Sequence, residues 1–216
     1  MESVHGNTMH STTGLVGLLE NPALFELWQQ IVGAEKWKKR IASEFMKPFY
    51  GARILDIGCG TGAMLKYIPL SLKAEYTGCD VNLEYIRRAE KRFKGRGSFI
   101  CCNADSIPAS ATGLDFVLCI AVLHHLTDET CLKLMALAAK RLNRNGKLLI
   151  VEPVRTARQS MLEKFLMRND RGKNIKSENE YRQFARQYFS SAESRIISDS
   201  HFIPWTSIVI SCNNSG

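Results

Sequence analysis

No run of about 18 consecutive apolar residues occurs in the chain, so nothing in it reads as a membrane span. The opening stretch Met1–Gly14 is polar and lacks the basic patch and apolar run of a signal peptide, so a cytoplasmic location is expected. There is no internal repeat and no low-complexity tract. The seven cysteines, at 59, 79, 101, 102, 119, 131 and 212, are odd in number and form no C-x-x-C. They read as reduced, mostly buried thiols, and no metal site is expected.

What is present fits one substantial domain: 216 residues, 45% hydrophobic and 23% charged. The formal charge of +8 collects in Glu35–Arg53, Arg87–Arg96 and Arg155–Arg186. Solvated helix faces account for such stretches, and attraction to an anionic partner is the sharper alternative. Aromatic residues do not alternate with the basic ones as a platform for single-stranded nucleic acid would favour.

Along the chain, 1–20 reads as a flexible N-terminal segment and 21–211 as a single domain, with 212–216 as a tail. Asn21 and Pro22 start a helix with an apolar stripe at Leu24, Leu27, Trp28 and Ile31. A second helix, Glu35–Met46, follows, and 21–47 is expected to cover part of the sheet. Short apolar strands then alternate with helices. Strands are expected at Arg53–Ile57, Glu75–Cys79, Ser98–Cys102, Leu114–Ile120 and Lys147–Val151, with helices at Met64–Ile68, Asn82–Phe93 and Asp128–Leu142. That rhythm predicts an α/β fold: a mainly parallel sheet with helices on both faces. After Pro153, helices over Arg155–Arg168 and Glu178–Phe189 enclose a polar loop. Two final strands, Glu193–Ser198 and Trp205–Ser211, bring the count to seven, the last pair antiparallel. The apolar face of the first of these helices is expected at Met161, Leu162, Phe165 and Leu166.

The most informative string is Ile54-Leu55-Asp56-Ile57-Gly58-Cys59-Gly60-Thr61-Gly62. A strand running into spaced glycines lets the backbone approach a ligand closely, and Gly62 is expected to open a helix whose free N–H groups favour an electronegative group. Asp56, near the end of a buried strand, requires a compensating partner. A dinucleotide fingerprint tolerates Ala63 at its third position, so the glycines alone leave a dehydrogenase open. Asp80 ends the second strand, where a carboxylate can accept from both ribose hydroxyls or cap the next helix.

Further strings recur in order: Gly78-Cys79-Asp80-Val81-Asn82, Asn103-Ala104-Asp105-Ser106, Leu114–Cys119 with its exit Ala121–Leu126, and Leu142–Ile150. Together with the glycine segment they resemble the class I, Rossmann-like S-adenosylmethionine-dependent methyltransferases, from about Ala52 to Pro153. The resemblance implies S-adenosylmethionine as cofactor and S-adenosylhomocysteine as product. It implies that Gly58, Cys59 and Gly60 hold the methionine half, with Gly62 also at the cofactor, and that Asp56 receives its amino group. By the same token Asp80 binds the ribose, Val81 packs on adenine, Asp105 and Ser106 meet the adenine edge, and Ile120 lines the inner wall.

On the acceptor side the residues speak less clearly. His124, in the exit loop of the fourth strand, is the candidate for proton removal, with His125 as a substrate contact or a shaper of the loop. Glu152 is expected to contact substrate or to fix the following loop. The insertion 155–189 is expected to cover the acceptor pocket, with Arg171 and Lys173 suited to an anionic acceptor. The expected activity is methyl transfer to a small molecule by direct displacement. RNA, tRNA in particular, is the alternative acceptor, and a non-catalytic cofactor-binding scaffold is the alternative of a different class. The Asn/Asp-Pro-Pro-Tyr/Phe motif of many amino-group methyltransferases is missing: the matching exit reads Cys119-Ile120-Ala121-Val122.

Overall fold

The computed structural model describes residues 21–31, 33–103, 106–108, 111–170, 172, 174–198 and 203–213. The expected flexible segment 1–20 lies outside them. Five strands run parallel: β1 (Arg53–Ile57), β2 (Glu75–Asp80), β3 (Ser98–Cys101), β4 (Leu114–Ile120) and β5 (Leu142–Arg155). A two-residue strand, β6 (Lys176–Ser177), pairs beside the end of β5. β7 (Ser191–Ile197) and β8 (Ser207–Asn213) complete the sheet, in the order β3-β2-β1-β4-β5-β8-β7. β8 is antiparallel to both of its neighbours. The expected seven-stranded, mainly parallel sheet is therefore observed. β8 runs on to Asn213 and buries Cys212, which places 212 and 213 in the sheet and not in a tail.

Side-chain caps start every described α-helix except Ala34–Arg40. Asn21 accepts from Ala23 and Leu24 N–H to start α1 (Pro22–Ile31), and Asn82 accepts from Glu84 and Tyr85 to start α3 (Leu83–Arg92). Between them, α2 (Ala34–Arg40) continues as a π-helical turn, Ile41–Met46. Thr127 caps α4 (Asp128–Arg141) and Ser160 caps α5 (Met161–Arg168), while Ser177 and Glu180 make a capping box for α6 (Glu178–Arg186).

Because both faces of the sheet are covered, successive strand residues enter different cores. Leu55, Ile57, Leu148 and Ile150 pack with α4 and α6. Ile54, Leu149 and Val151 pack with α2, the π-turn and α3. By the same alternation Asp56 lies on the α2/α3 face and Glu152 on the α4/α6 face.

Two local expectations differ from the structure. The chain after Gly62 makes only a five-residue 3-10 turn, Ala63–Tyr67, and Gly62 itself is left-handed at φ 72°. No α-helical N-terminus therefore points at a ligand there. α5 is inverted relative to its hydrophobic pattern: it buries Glu163 and Met167 and exposes Met161, Leu162 and Phe165. Gln159 explains the inversion, since its buried amide donates to Val154 carbonyl (2.9 Å) and Glu163 Oε1 (3.2 Å) and contacts Met167 sulfur. A satisfied polar cluster thus takes the inner side of the helix.

Candidate functional site

At the carboxyl ends of β1 and β2 the glycine turn folds back across the sheet. Gly58 and Cys59 N–H both donate to Cys79 carbonyl, at 2.7 and 2.9 Å. Gly58 is left-handed at φ 72°, and a Cβ there would lie 2.4 Å from Val122 Cγ2. Any larger residue would strain the turn and push the β4 exit loop away. Gly60 N–H reaches Asp80 Oδ2 at 2.9 Å, and Asn82 N–H reaches Oδ1 at the same distance. Both Asp80 oxygens thus act as acceptors beside the glycine turn. Val81 is half exposed beside it, Ser106 is exposed, and Ile120 packs partly buried at the end of β4. Asp105 lies outside the described residues.

Beneath this turn Asp56 is buried, with Tyr76 hydroxyl donating at 2.5 Å. Burial pushes its pKa up to about 7, against the opposing pull of Tyr76 and of the Lys38 charge. Lys38, buried on α2, is pushed down to about 8 by burial despite Asp56. Its ammonium donates to Gln29 of α1. An acid and a base, both poorly solvated, are therefore close enough to act on each other's charge.

Across the sheet the acceptor-side candidates are bound to one another. Glu152 is 1% exposed, and its Oε1 accepts Val122 and Leu123 N–H at 2.8 and 2.7 Å. Its Oε2 takes His124 N–H at 3.3 Å and His124 Nδ1 at 2.6 Å. On the other side of the ring, His124 Nε2 lies 3.2 Å from Asp170 Oδ1. Burial alone would lower the His124 pKa, but the two carboxylates outweigh it and hold the ring at about 9. His124 is thus an imidazolium at neutral pH with both N–H groups engaged, the opposite of a free general base. Glu152 thus holds the β4 exit loop, not the loop that follows it in the chain. His125, half-buried, packs its ring against His124 with centroids 4.0 Å apart. Arg171 and Lys173 lie outside the described residues. Among the described residues no cluster of three His, Cys, Asp or Glu could hold a metal ion. No described helix is long and apolar enough to cross a membrane.

Residues 54–146 match the model of a family described as the methyltransferase domain, over the segment that builds the glycine turn and the ends of β1, β2 and β4. That segment is thus similar to a methyltransferase domain, and the chain shares the fold of solved S-adenosylmethionine-dependent methyltransferases. Within this domain it is similar to the human protein named probable tRNA methyltransferase 9B, at 32% identity over 46% of this chain and 21% of that one. It is also 29% identical to O-methyltransferase rstn1 of Aspergillus nomiae, over 45% of each chain. These matches span less than half the length of either relative. Among solved structures, Haemonchus contortus phosphoethanolamine N-methyltransferase 2 superposes with a TM-score of 0.75 at 15% identity, covering 94% of this chain and 59% of that one. At such low identity the likeness is one of fold.

The methyltransferase fold explains why the cofactor-side candidates converge, since strand ends at a reversal of strand order form a crevice. The chemistry also fits the cofactor: a turn of small residues for close approach, one carboxylate able to accept from hydroxyls and one able to accept from an ammonium, while the turn's own N–H groups are engaged within it. Lys38 is the residue that sequence reasoning missed. A signal existed, because Ala34, Trp37, Lys38, Ile41 and Ala42 follow the helical core spacing and all are buried. A lysine in an apolar stripe is conspicuous once the whole stripe is traced.

Proposed function

We propose that the chain transfers the methyl group of S-adenosylmethionine to a small organic acceptor. When bound, the sulfonium supplies an electrophilic methyl carbon open to direct displacement by an acceptor lone pair. In this reading Asp80 binds the ribose hydroxyls, and the Gly58–Gly60 backbone admits the methionine portion. Asp56 takes its ammonium, Lys38 its carboxylate, and Val81 and Ile120 give apolar contact. Ser106 and Asp105 serve the adenine edge. Arg171 and Lys173 are proposed contacts for an anionic group on the acceptor, and His125 is proposed to shape the pocket wall. Because His124 is held as a cation, an acceptor that needs deprotonation must lose its proton to solvent or to another group.

The observation that carries the small-molecule reading is the inverted α5. It follows the carboxyl end of β5 and presents Met161, Leu162 and Phe165 to solvent, 57–81% exposed. Such a face suits an organic body better than a phosphate backbone. Several basic groups are also already paired within the protein. Arg88 and Arg92 engage Glu26, Arg87 engages Glu84, and Lys66 engages Glu35. They are not set aside as a phosphate track.

The tRNA methyltransferase among the relatives supports a second reading, with RNA as acceptor. The two are separated by exposing total RNA and a metabolite extract separately to the protein with methyl-labelled S-adenosylmethionine. A labelled low-mass compound, lost with Asp80→Ala, is the expected result. Label in a defined RNA nucleotide, with none in the small-molecule fraction, would establish the alternative. Cofactor binding with label in neither fraction would favour a scaffold.

A further inference from the structure

A histidine serving substrate needs one ring nitrogen open to the pocket. His124 has neither: its ring is almost fully buried, with an acid on each nitrogen, and the acids come from separate parts of the chain. Glu152 belongs to β5. Asp170 follows α5, in the segment expected to cover the acceptor.

The chain around Asp170 is moulded onto the histidine. Asp170 Oδ1 also accepts Gly172 N–H at 2.8 Å, which shapes the turn. A Cβ on Gly172 would lie 1.9 Å from His124 Cδ2, so only glycine allows this approach. Asn174 then donates its backbone N–H to His124 carbonyl at 3.0 Å and its amide to Leu126 carbonyl at 2.8 Å. On the inner side, the carboxylate that holds His124 also holds Val122, and Val122 occupies the space beside Gly58. Contacts therefore run without interruption from Asp170 through His124, Glu152 and Val122 to the glycine turn.

We infer that Glu152, His124 and Asp170 form a carboxylate–imidazolium–carboxylate latch that fastens the chain after α5 to the β4 exit loop and, through Val122, steadies the cofactor turn. His124 is then a positioning residue. It makes acceptor-side order and cofactor-side order parts of one unit, because neither acid keeps its partner if the ring swings out.

Other ionisable groups lie on the elements next to the ring and to Glu152. His125 lies beside it, Cys131 of α4 donates to Leu123 carbonyl, and Tyr181 of α6 is held protonated by burial and by Glu152. Lys176 of β6 is paired with Asp128 at 2.9 Å. The latch holds at neutral pH and loosens as the ring deprotonates near pH 9.

The test uses the full chain and needs no acceptor. Nuclear magnetic resonance of the histidine rings should show His124 protonated on both nitrogens at pH 7.5. Asp170→Asn keeps the shape and removes the charge, so it should lower that titration midpoint. Hydrogen exchange should then quicken by about tenfold both at 169–175 and at 122–126, the size expected for losing a charged hydrogen bond. Affinity for S-adenosylhomocysteine should fall severalfold. Gly172→Ala leaves every titrating group in place but displaces the turn, and should quicken exchange in the same two segments. A neutral His124 at pH 7.5, or a midpoint unmoved by Asp170→Asn, would overturn the latch. So would faster exchange confined to 169–175 with ligand affinity unchanged. Failure of the wild-type protein to bind S-adenosylhomocysteine would count against the cofactor reading instead, leaving the ring titration and exchange to judge the latch.

Discussion

Asp56 and Glu152 are both buried carboxylates near carboxyl ends of parallel strands, one on each face of the sheet, yet their surroundings differ in kind. Glu152 receives three backbone N–H groups and an imidazolium, which together replace the water it lost. Asp56 receives one hydroxyl from Tyr76 and a diffuse attraction from Lys38, and its pKa rises to about 7. Burial costs the same kind of energy in both places, but only one site is fully compensated. The compensated carboxylate builds structure. The under-compensated one is suited to a ligand cation.

The largest effect should follow from Glu152→Gln, which leaves His124 without its main counter-charge and replaces an acceptor by an amide donor. A loss of about 3–5 kcal/mol in denaturant unfolding is expected, as for breaking a buried ion pair. Asp56→Asn should behave oppositely, with stability at pH 8 equal to or above wild type. Affinity for S-adenosylhomocysteine by titration calorimetry should drop by roughly tenfold or more, for the loss of a charged hydrogen bond. Equal destabilisation by the two substitutions would break the contrast.

The pH dependence sharpens it further. Asp56 rises from 3.8 unfolded to about 7 folded, so the folded state holds the extra proton and this group lowers stability as pH climbs through that window. Asp56→Asn should remove that downward component from the wild-type curve. His124 rises from 6.5 to about 9, so its contribution is complete below 6.5 and is lost as pH passes 9. Lys38→Met, an apolar replacement in an apolar stripe, should raise stability at neutral pH, where the buried charge is unfavourable, and weaken ligand binding. The smallest effect is expected from Glu26→Gln, whose partners Arg88 and Arg92 are partly exposed; thermal melting should shift little.

How much of this was legible beforehand follows from the range of the interactions. The sheet and its order of elements came from local periodicity, and the glycine turn with Asp80 from contiguous strings. The bond from Gly60 to Asp80 spans only two neighbouring strands. The latch depends on partners 28 positions apart for His124 and Glu152, with Asp170 further still, and no local pattern announces which nitrogen meets which oxygen. His124 therefore looked like a base because its own residue type suits that role. α5 was misread for a related reason: its apolar residues predicted the inner face, but the buried Gln159–Glu163 pair claimed it. The helix expected after Gly62 is there as a 3-10 turn of the same five-residue length, since Pro69 leaves no room for a longer α-helix.

The position of β8 has a consequence for assembly. It follows β7 in the chain but lies between β7 and β5, pairing with β5 from Lys147 to Pro153. During synthesis the ladder edge of β5 must therefore wait, with Leu148 and Ile150 formed but unclosed, until Ser207–Asn213 has emerged. A waiting apolar edge is a template for the wrong strand, whether from a neighbouring nascent chain or from β7 pairing prematurely. The seam between β5 and β8 therefore closes only after β7 has been made, and yield of folded protein should depend on β8 out of proportion to its seven residues.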